Sequence, residues 1–225
     1  KFNKSTGLNI DGELIAIGAL DAIIKFTSNQ LSPKVNDWQG IKFTDNAKGA
    51  IFDGNGNYLS GSIIKYATIE YGSSLSAQVS TFSLFLSNSI VRNNNEIGVV
   101  LEGTNSKVLN NTISGHSAYG IVIGLYSSNN EISGNTFVNN PQQGINLQSH
   151  DNTISNNTIT GNYHDKALVL DRAYSNTISN NTISKSQVGI EFDNNSHDNT
   201  VTGNSIRDNN SGIEIGGNSP NNQVL

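Results

Sequence analysis

The 225-residue sequence has no cysteine and no methionine, and only 14% of its residues are charged. Without cysteine there are no disulfides, thiolate metal sites or cysteine nucleophiles. Lysine and arginine total 13 against 18 acidic residues, and no basic run occurs, so we predict no nucleic-acid partner. No stretch approaches the ~18 consecutive apolar residues of a spanning helix, so we predict no membrane span.

Glycine is plentiful at 22 residues, and asparagine often occurs in Asn-Asn pairs. Both residue types tolerate positive φ and favour tight turns. Hydrophobic residues make up only 35% of the chain, yet the low charge and three prolines argue against disorder. The apolar residues also recur on a fixed period, which indicates a repeat protein.

Three columns of short apolar stretches repeat in steps of 22 to 24 residues. The first column begins at Gly98, Gly120, Gly144, Ala167, Gly189 and Gly212. The second is Val108, Ile132, Ile154, Ile178, Val201 and Val224, and the third is Ile90, Ile113, Phe137, Ile159, Ile183 and Ile206. Each stretch alternates apolar and polar residues, as a half-buried strand does.

Three short strands per period of about 23 residues predict an all-β, single-stranded right-handed parallel β-helix, in which each coil lies about 4.8 Å above the last. We assign residues 1–225 to one such domain, with loop insertions near 27–37 and 44–60. Because Lys1 reads as the end of a strand and Leu225 falls inside a repeat, we expect a slice of a longer chain. The alternative is that the ends stack on neighbouring molecules.

A column of asparagines repeats on the same period. Its members are Asn88, Asn111, Asn135, Asn157, Asn181 and Asn204. Identical amides stacked at strand spacing can hydrogen-bond along the axis as a ladder, which also satisfies their polar groups. We therefore interpret these residues as structural rather than ligand-binding.

The repeated Asn-Thr-Ile-Ser-Asn-Asn-Thr-Ile at 152–159 and 176–183 carries a family resemblance, as do Trp38-Gln39-Gly40-Ile41-Lys42-Phe43 and the Gly/Asn-rich stretch at 54–62. The chain resembles the parallel β-helix repeat proteins of the pectin-lyase-like superfamily, of the NosD-like or carbohydrate-binding and sugar-hydrolase type, from large surface proteins. The resemblance implies the fold but leaves function open, because this scaffold hosts lyases, hydrolases, epimerases, adhesins and structural arrays.

Polysaccharide lyases and epimerases on this scaffold need a base and a cation near the uronate. The best candidates are His164, Lys166, Asp171 and Arg172, in a loop and strand where they can share one edge of a coil. An ordinary polar loop explains the same residues. The mannuronan-epimerase motif Tyr-Gly-Phe-Asp-Pro-His does not occur.

No cofactor is required by the sequence, but one segment suits calcium. Asp53, Asn55 and Asn57 place oxygen side chains at alternate positions, as a calcium loop does. The sixth and twelfth positions of an EF-hand are here Tyr58 and Ile64, which excludes that motif. A simple Gly/Asn-rich turn is the alternative.

Carbohydrate binding favours exposed aromatic rings, and Trp38, Tyr58, Tyr66 and Tyr71 concentrate near the two insertions. These four are the candidate sugar-binding residues. The histidines His116, His150 and His197 are interpreted as turn residues. His150 and His197 fall two coils, or roughly 10 Å, apart, too far to share one metal ion.

These observations favour a non-catalytic extracellular or cell-surface scaffold, structural or adhesive, with polysaccharide and self-association, end to end or lateral, as the candidate partners. One alternative is a polysaccharide lyase or uronate epimerase. A second is a periplasmic NosD-like accessory protein.

Overall fold

The computed structural model describes residues 1–77, 80–163 and 165–225. These residues form short strands and turns with no helix, and three parallel sheets wind around one axis. The first sheet contains β1 (Leu8–Ile10), β4 (Ile41–Phe43), β9 (Leu75–Ala77), β12 (Ile97–Leu101), β15 (Tyr119–Ile123), β18 (Gln143–Leu147), β21 (Lys166–Asp171), β24 (Val188–Asp193) and β27 (Ser211–Ile215).

The second and third sheets supply the other two sides of each coil. The second contains β2 (Ile15–Ile17), β7 (Ile63–Lys65), β10 (Phe85–Ser87), β13 (Lys107–Leu109), β16 (Glu131–Ser133), β19 (Thr153–Ser155), β22 (Thr177–Ser179), β25 (Thr200–Thr202) and β28 (Gln223–Val224). The third contains β3 (Ile24–Phe26), β8 (Ala67–Glu70), β11 (Ile90–Arg92), β14 (Thr112–Ser114), β17 (Thr136–Val138), β20 (Thr158–Thr160), β23 (Thr182–Ser184) and β26 (Ser205–Arg207).

Register between coils confirms the predicted β-helix with three strands per coil. In the second sheet Ile154 pairs with Ile178, which pairs with Val201. Their side chains are at most 2% exposed, because each coil buries its inner face on its neighbours. The third column is wrong at one member: Val91, not Ile90, pairs with Ile113 and lies fully buried.

An asparagine ladder occupies the turn between the second and third sheets. Each backbone N–H donates to the side-chain oxygen one coil above, at 2.8 to 2.9 Å. The ladder runs through Ser89, Asn111, Asn135, Asn157, Asn181 and Asn204. Asn88 does not belong to it: with φ of 50° it occupies the exposed turn position that Asn110, Asn156 and Asn180 fill above.

Two further ladders, which the repeat of Asn88 to Asn204 did not predict, lie at the other corners. Between the first and second sheets the ladder runs through Ser106, Asn130, Asn152, Asn176, Asn199 and Asn222. Between the third and first sheets Asn94 donates to His116 Nδ1, and the His116 N–H donates to Asn140. His116, predicted as a simple turn residue, is therefore a buried ladder member, 2% exposed.

The segment 44–60 carries an antiparallel hairpin, β5 (Ile51–Phe52) and β6 (Tyr58–Ser60), outside the regular coil. The hairpin lies against the second sheet, where the rings of Phe52 and Phe85 meet edge to face at 5.3 Å. The segment 27–37 contains no strand among its described residues. Nor do the described residues include a helix long and apolar enough to cross the bilayer.

Candidate functional site

The outer face of the first sheet has a floor of side chains that point outward and are nevertheless buried. Ser76, Val100, Asn146 and Val169 are only 4 to 8% exposed. Alternation points them away from the core, because their strand neighbours are the fully buried residues of the interior. These four residues therefore form a floor beneath the more exposed side chains of this face.

Two polar atoms on this floor lack a hydrogen-bond partner among the described residues: Ser76 Oγ and Asn146 Oδ1. The Asn146 amide donates to Gln143 Oε1 at 2.7 Å, which fixes the side chain with its oxygen free. Beside Ser76 the face opens into a depression of about 300 Å³, bordered by Lys42 and Glu96. Both oxygens are also shielded from solvent, so a ligand hydroxyl can pair with them only when the side chains above them move aside.

Lys166 lies on the same face and is held by two carboxylates. Its Nζ is 3.2 Å from Glu191 Oε2 and 3.4 Å from Asp165 Oδ1. Partial burial alone would lower the pKa of Lys166, but Glu191 and Asp165 outweigh it and raise the pKa above its ordinary value. At neutral pH this amine is therefore a cation and not a proton-accepting base.

Arg172 follows the other end of the same strand. Six residues of extended chain separate Lys166 from Arg172, which is about 20 Å of backbone. Arg172 donates to Asp171 Oδ2 at 3.1 Å, and Asn194 donates to Asp171 Oδ1 at 2.8 Å. The candidate catalytic residues thus divide into two separately paired groups, and His164 lies outside the described residues.

The predicted sugar-binding aromatics are distributed differently from the expectation. Trp38 is wrong as an exposed platform: it is fully buried, stacks on Phe2 at 4.3 Å and donates its indole N–H to Glu70 O. Tyr58 is half-buried, and its hydroxyl donates to Gly61 O at 2.6 Å. Tyr66 and Tyr71 are half-buried turn residues with φ of 51° and 62°.

The predicted calcium loop forms the tip of the hairpin. Asp53 Oδ1 accepts the N–H groups of Asn55 and Asn57, and Asp53 Oδ2 accepts the Asn57 amide at 3.0 Å. The hydrogen bonds from Asn57 lower the pKa of Asp53 below its ordinary value. The carboxylate therefore closes the turn itself. Among the described residues no group of three or more His, Cys, Asp or Glu side chains converges on one point.

His150 and His197 lie two coils apart, as the repeat predicts, with Tyr174 between them. The three rings stack face to face, at 4.7 Å and 5.2 Å between centroids. Each histidine Nδ1 pairs with the carboxylate that follows it, Asp151 or Asp198, at 2.9 and 2.8 Å. This aromatic column on the corner before the second sheet was not predicted, because Tyr174 breaks the identity of the residue at that position.

The geometry defines a parallel β-helix of the pectin-lyase-like class. The family described as "Right handed beta helix region" matches residues 34–170 and 75–225. The chain belongs to this family. A comparison with curated proteins gave no match.

Several solved structures share the fold. The active domain of tailspike protein 2 from bacteriophage CBA120 has a TM-score of 0.56 and 15% identity over 89% of this chain and 33% of its own. A mutant of the periplasmic alginate epimerase AlgG has a TM-score of 0.58 and 14% identity, over 88% of this chain and 51% of its own. The A-module of the Azotobacter vinelandii mannuronan C-5 epimerase AlgE6 has a TM-score of 0.52 and 11% identity, over 99% of this chain and 90% of its own.

This chain therefore spans a third of the tailspike domain and about half of AlgG. At such low identity the likeness concerns the fold.

Proposed function

We propose that the protein is a non-catalytic extracellular or cell-surface scaffold, structural or adhesive, that binds polysaccharide along the outer face of the first sheet. The observation that carries the proposal is the floor of this face, where Ser76 Oγ and Asn146 Oδ1 are buried and have no hydrogen-bond partner among the described residues. Sugar hydroxyls both donate and accept hydrogen bonds, so they suit such groups. The alginate epimerase AlgG and the mannuronan epimerase AlgE6, whose names give polysaccharide substrates, support the class of ligand.

The charges on this face favour binding over chemistry. Lys166 is protonated and neutralised by Glu191 and Asp165, so it serves poorly as a base. Arg172 lies at the far end of the strand, where it cannot neutralise a uronate held at Lys166. Self-association, end to end or lateral, belongs to the same proposal and is tested by sedimentation at several protein concentrations.

Binding is tested with immobilised neutral and acidic polysaccharides, comparing the wild type with Asn146→Ala. We expect Asn146→Ala to weaken retention at least fivefold, because it removes the Oδ1 acceptor from the floor of this face. Thr158→Ala, on the third sheet, is the matched control and is expected to bind like the wild type. Equal retention of all three proteins would refute the site.

The lyase or epimerase alternative predicts a different result. Uronate polymers are incubated with the protein and calcium, while absorbance follows unsaturated products and NMR follows C-5 inversion. Sustained turnover that is lost in Arg172→Ala or Lys166→Met would overturn the non-catalytic proposal. The proposal expects no product above the buffer control.

A further inference from the structure

The outer face of the second sheet carries hydroxyl groups in register on successive coils. Thr153 pairs with Thr177, which pairs with Thr200, and Ser155, Ser179 and Thr202 form the adjacent row. The rows repeat about every 4.8 Å along the axis and lie about 6.6 Å apart across the strand. Thr153 and Thr177 are exposed and Thr200 is half-buried.

The aromatic column runs beside these rows on the same three coils. His150, Tyr174 and His197 each precede one of the three threonines by three residues, and they face solvent at the corner of the second sheet. Tyr174 is 37% exposed. Hydroxyl rows flanked by aromatic edges combine the polar and apolar contacts that a sugar ring requires.

A groove lies at the N-terminal end of the same face. The hairpin and the second sheet enclose about 550 Å³ between Phe52, Asn105, Lys107, Asn129 and Glu131. Lys107 Nζ lies 3.0 Å from Glu131 Oε2 and 5.0 Å from the centre of the Phe52 ring. The groove leads directly into the rows, because Lys107 pairs with Glu131 and Glu131 pairs with Thr153.

From these features we infer a second binding site: a track for an extended neutral polysaccharide that runs parallel to the axis, from the hairpin groove across Thr153, Thr177 and Thr200. One sugar ring of an extended β-1,4-linked chain is nearly as long as one coil is high, so successive rings meet equivalent hydroxyls. Four coil steps from Lys107 to Thr200 span about 19 Å, enough for roughly four rings.

The charge along the track selects a neutral chain. The outward positions of β19, β22 and β25 carry only hydroxyls, and Lys107 is already neutralised by Glu131. Asp151 and Asp198 stand at the flank, each with a side chain 53% exposed. A polyuronate would meet this acidic edge, and the described side chains of the track offer no unpaired cation to offset it.

Calorimetry with trimers and hexamers of β-1,4-linked glucose, xylose, mannose and N-acetylglucosamine tests the track, with oligogalacturonate as the acidic comparison. We expect at least one neutral hexamer to bind at least tenfold more tightly than its trimer, because only the hexamer reaches across all coils of the track. The triple variant Thr153→Val, Thr177→Val and Thr200→Val should weaken that hexamer at least tenfold.

The matched control is Thr136→Val, Thr158→Val and Thr182→Val, which alters an equivalent hydroxyl row on the third sheet. It should change the affinity less than twofold, with circular dichroism confirming that both triple variants fold. Hexamer binding that is unchanged in the second-sheet variant, lost equally in both variants, weaker than oligogalacturonate binding, or absent altogether overturns the track. Hexamer binding sensitive only to Asn146→Ala overturns the track while leaving the proposed first-sheet site intact.

Discussion

Truncating one ladder asparagine should destabilise the protein far more than truncating the asparagine beside it. Asn157 is 1% exposed and its side chain makes four hydrogen bonds. Its Oδ1 accepts the backbone N–H and the side-chain amide of Asn135, and its Nδ2 donates to Ile132 O and Asn181 Oδ1. Asn157→Ala removes all four.

The expected loss of stability depends on which partners of the Asn157 side chain have no other hydrogen bond. Asn135 Nδ2 still reaches Val108 O, and Asn181 Oδ1 still accepts the Asn157 backbone N–H. The Asn135 backbone N–H is left without its partner inside the turn, whereas Ile132 O lies in β16 and keeps its place in the sheet ladder with β19. At about 1–3 kcal/mol for this buried orphan, with the other lost hydrogen bonds added, Asn157→Ala should cost about 3 kcal/mol.

The measurement is urea unfolding followed by far-UV circular dichroism, together with hydrogen exchange of the Asn135 amide. Asn156→Gly is the matched control: Asn156 is exposed with φ of 57°, which glycine adopts freely, so its loss should stay below about 1 kcal/mol. If Asn157→Ala does not fold, Asn157→Asp supplies the comparison, because it keeps the acceptor and loses the donor. Similar free energies of unfolding for the ladder variants and Asn156→Gly would refute the ladder's role.

Three further predictions concern buried positions. Burial lowers the pKa of His116 from 6.5 to about 4. The free energy of unfolding of the wild type should therefore fall by up to about 3 kcal/mol as pH falls from 6.5 towards 4. His116→Asn should flatten this part of the stability profile, measured by urea titration at each pH. Trp38→Phe should cost about 2 kcal/mol in urea unfolding while polysaccharide retention stays unchanged; reduced retention in a folded variant would restore Trp38 as a sugar contact. Gly40→Ala should lower the melting temperature by several degrees, because φ is 81° and a Cβ there would collide with Ser74 O, and an unchanged melting temperature would contradict that geometry.

Sequence periodicity was accurate where residue identity repeats and less so where it does not. Asn111, Asn135, Asn157 and Asn181 follow one period and form the predicted ladder. Asn88 was predicted as a ladder member because it is an asparagine near the right spacing. The ladder position on that coil is Ser89, and because it is a serine, residue identity does not reveal it.

The other two ladders show how much signal the spacing alone contained. The asparagines at 130, 152, 176, 199 and 222 also recur in steps of 22 to 24 residues, so the second ladder was available to the same reasoning. The third was concealed by substitution, since His116 and Ser186 occupy two of its positions.

The candidate sites depended on facts that spacing does not carry. Trp38 was expected at the surface because it lies beside an insertion, but its ring packs on Phe2 from a distant part of the chain. Lys166 and Arg172 are neighbours in sequence, yet an extended strand carries them about 20 Å apart.

The sequence by itself determined the three-sided β-helix and one of its ladders, because a period of about 23 residues leaves stacked coils as the way to bury each repeat's apolar face. Only the tertiary structure decided which outward side chains are buried on the first sheet, and which aromatic rings and hydroxyls share the coils of the second. Those relations arise between coils, through side-chain lengths and loop packing, and no single repeat encodes them.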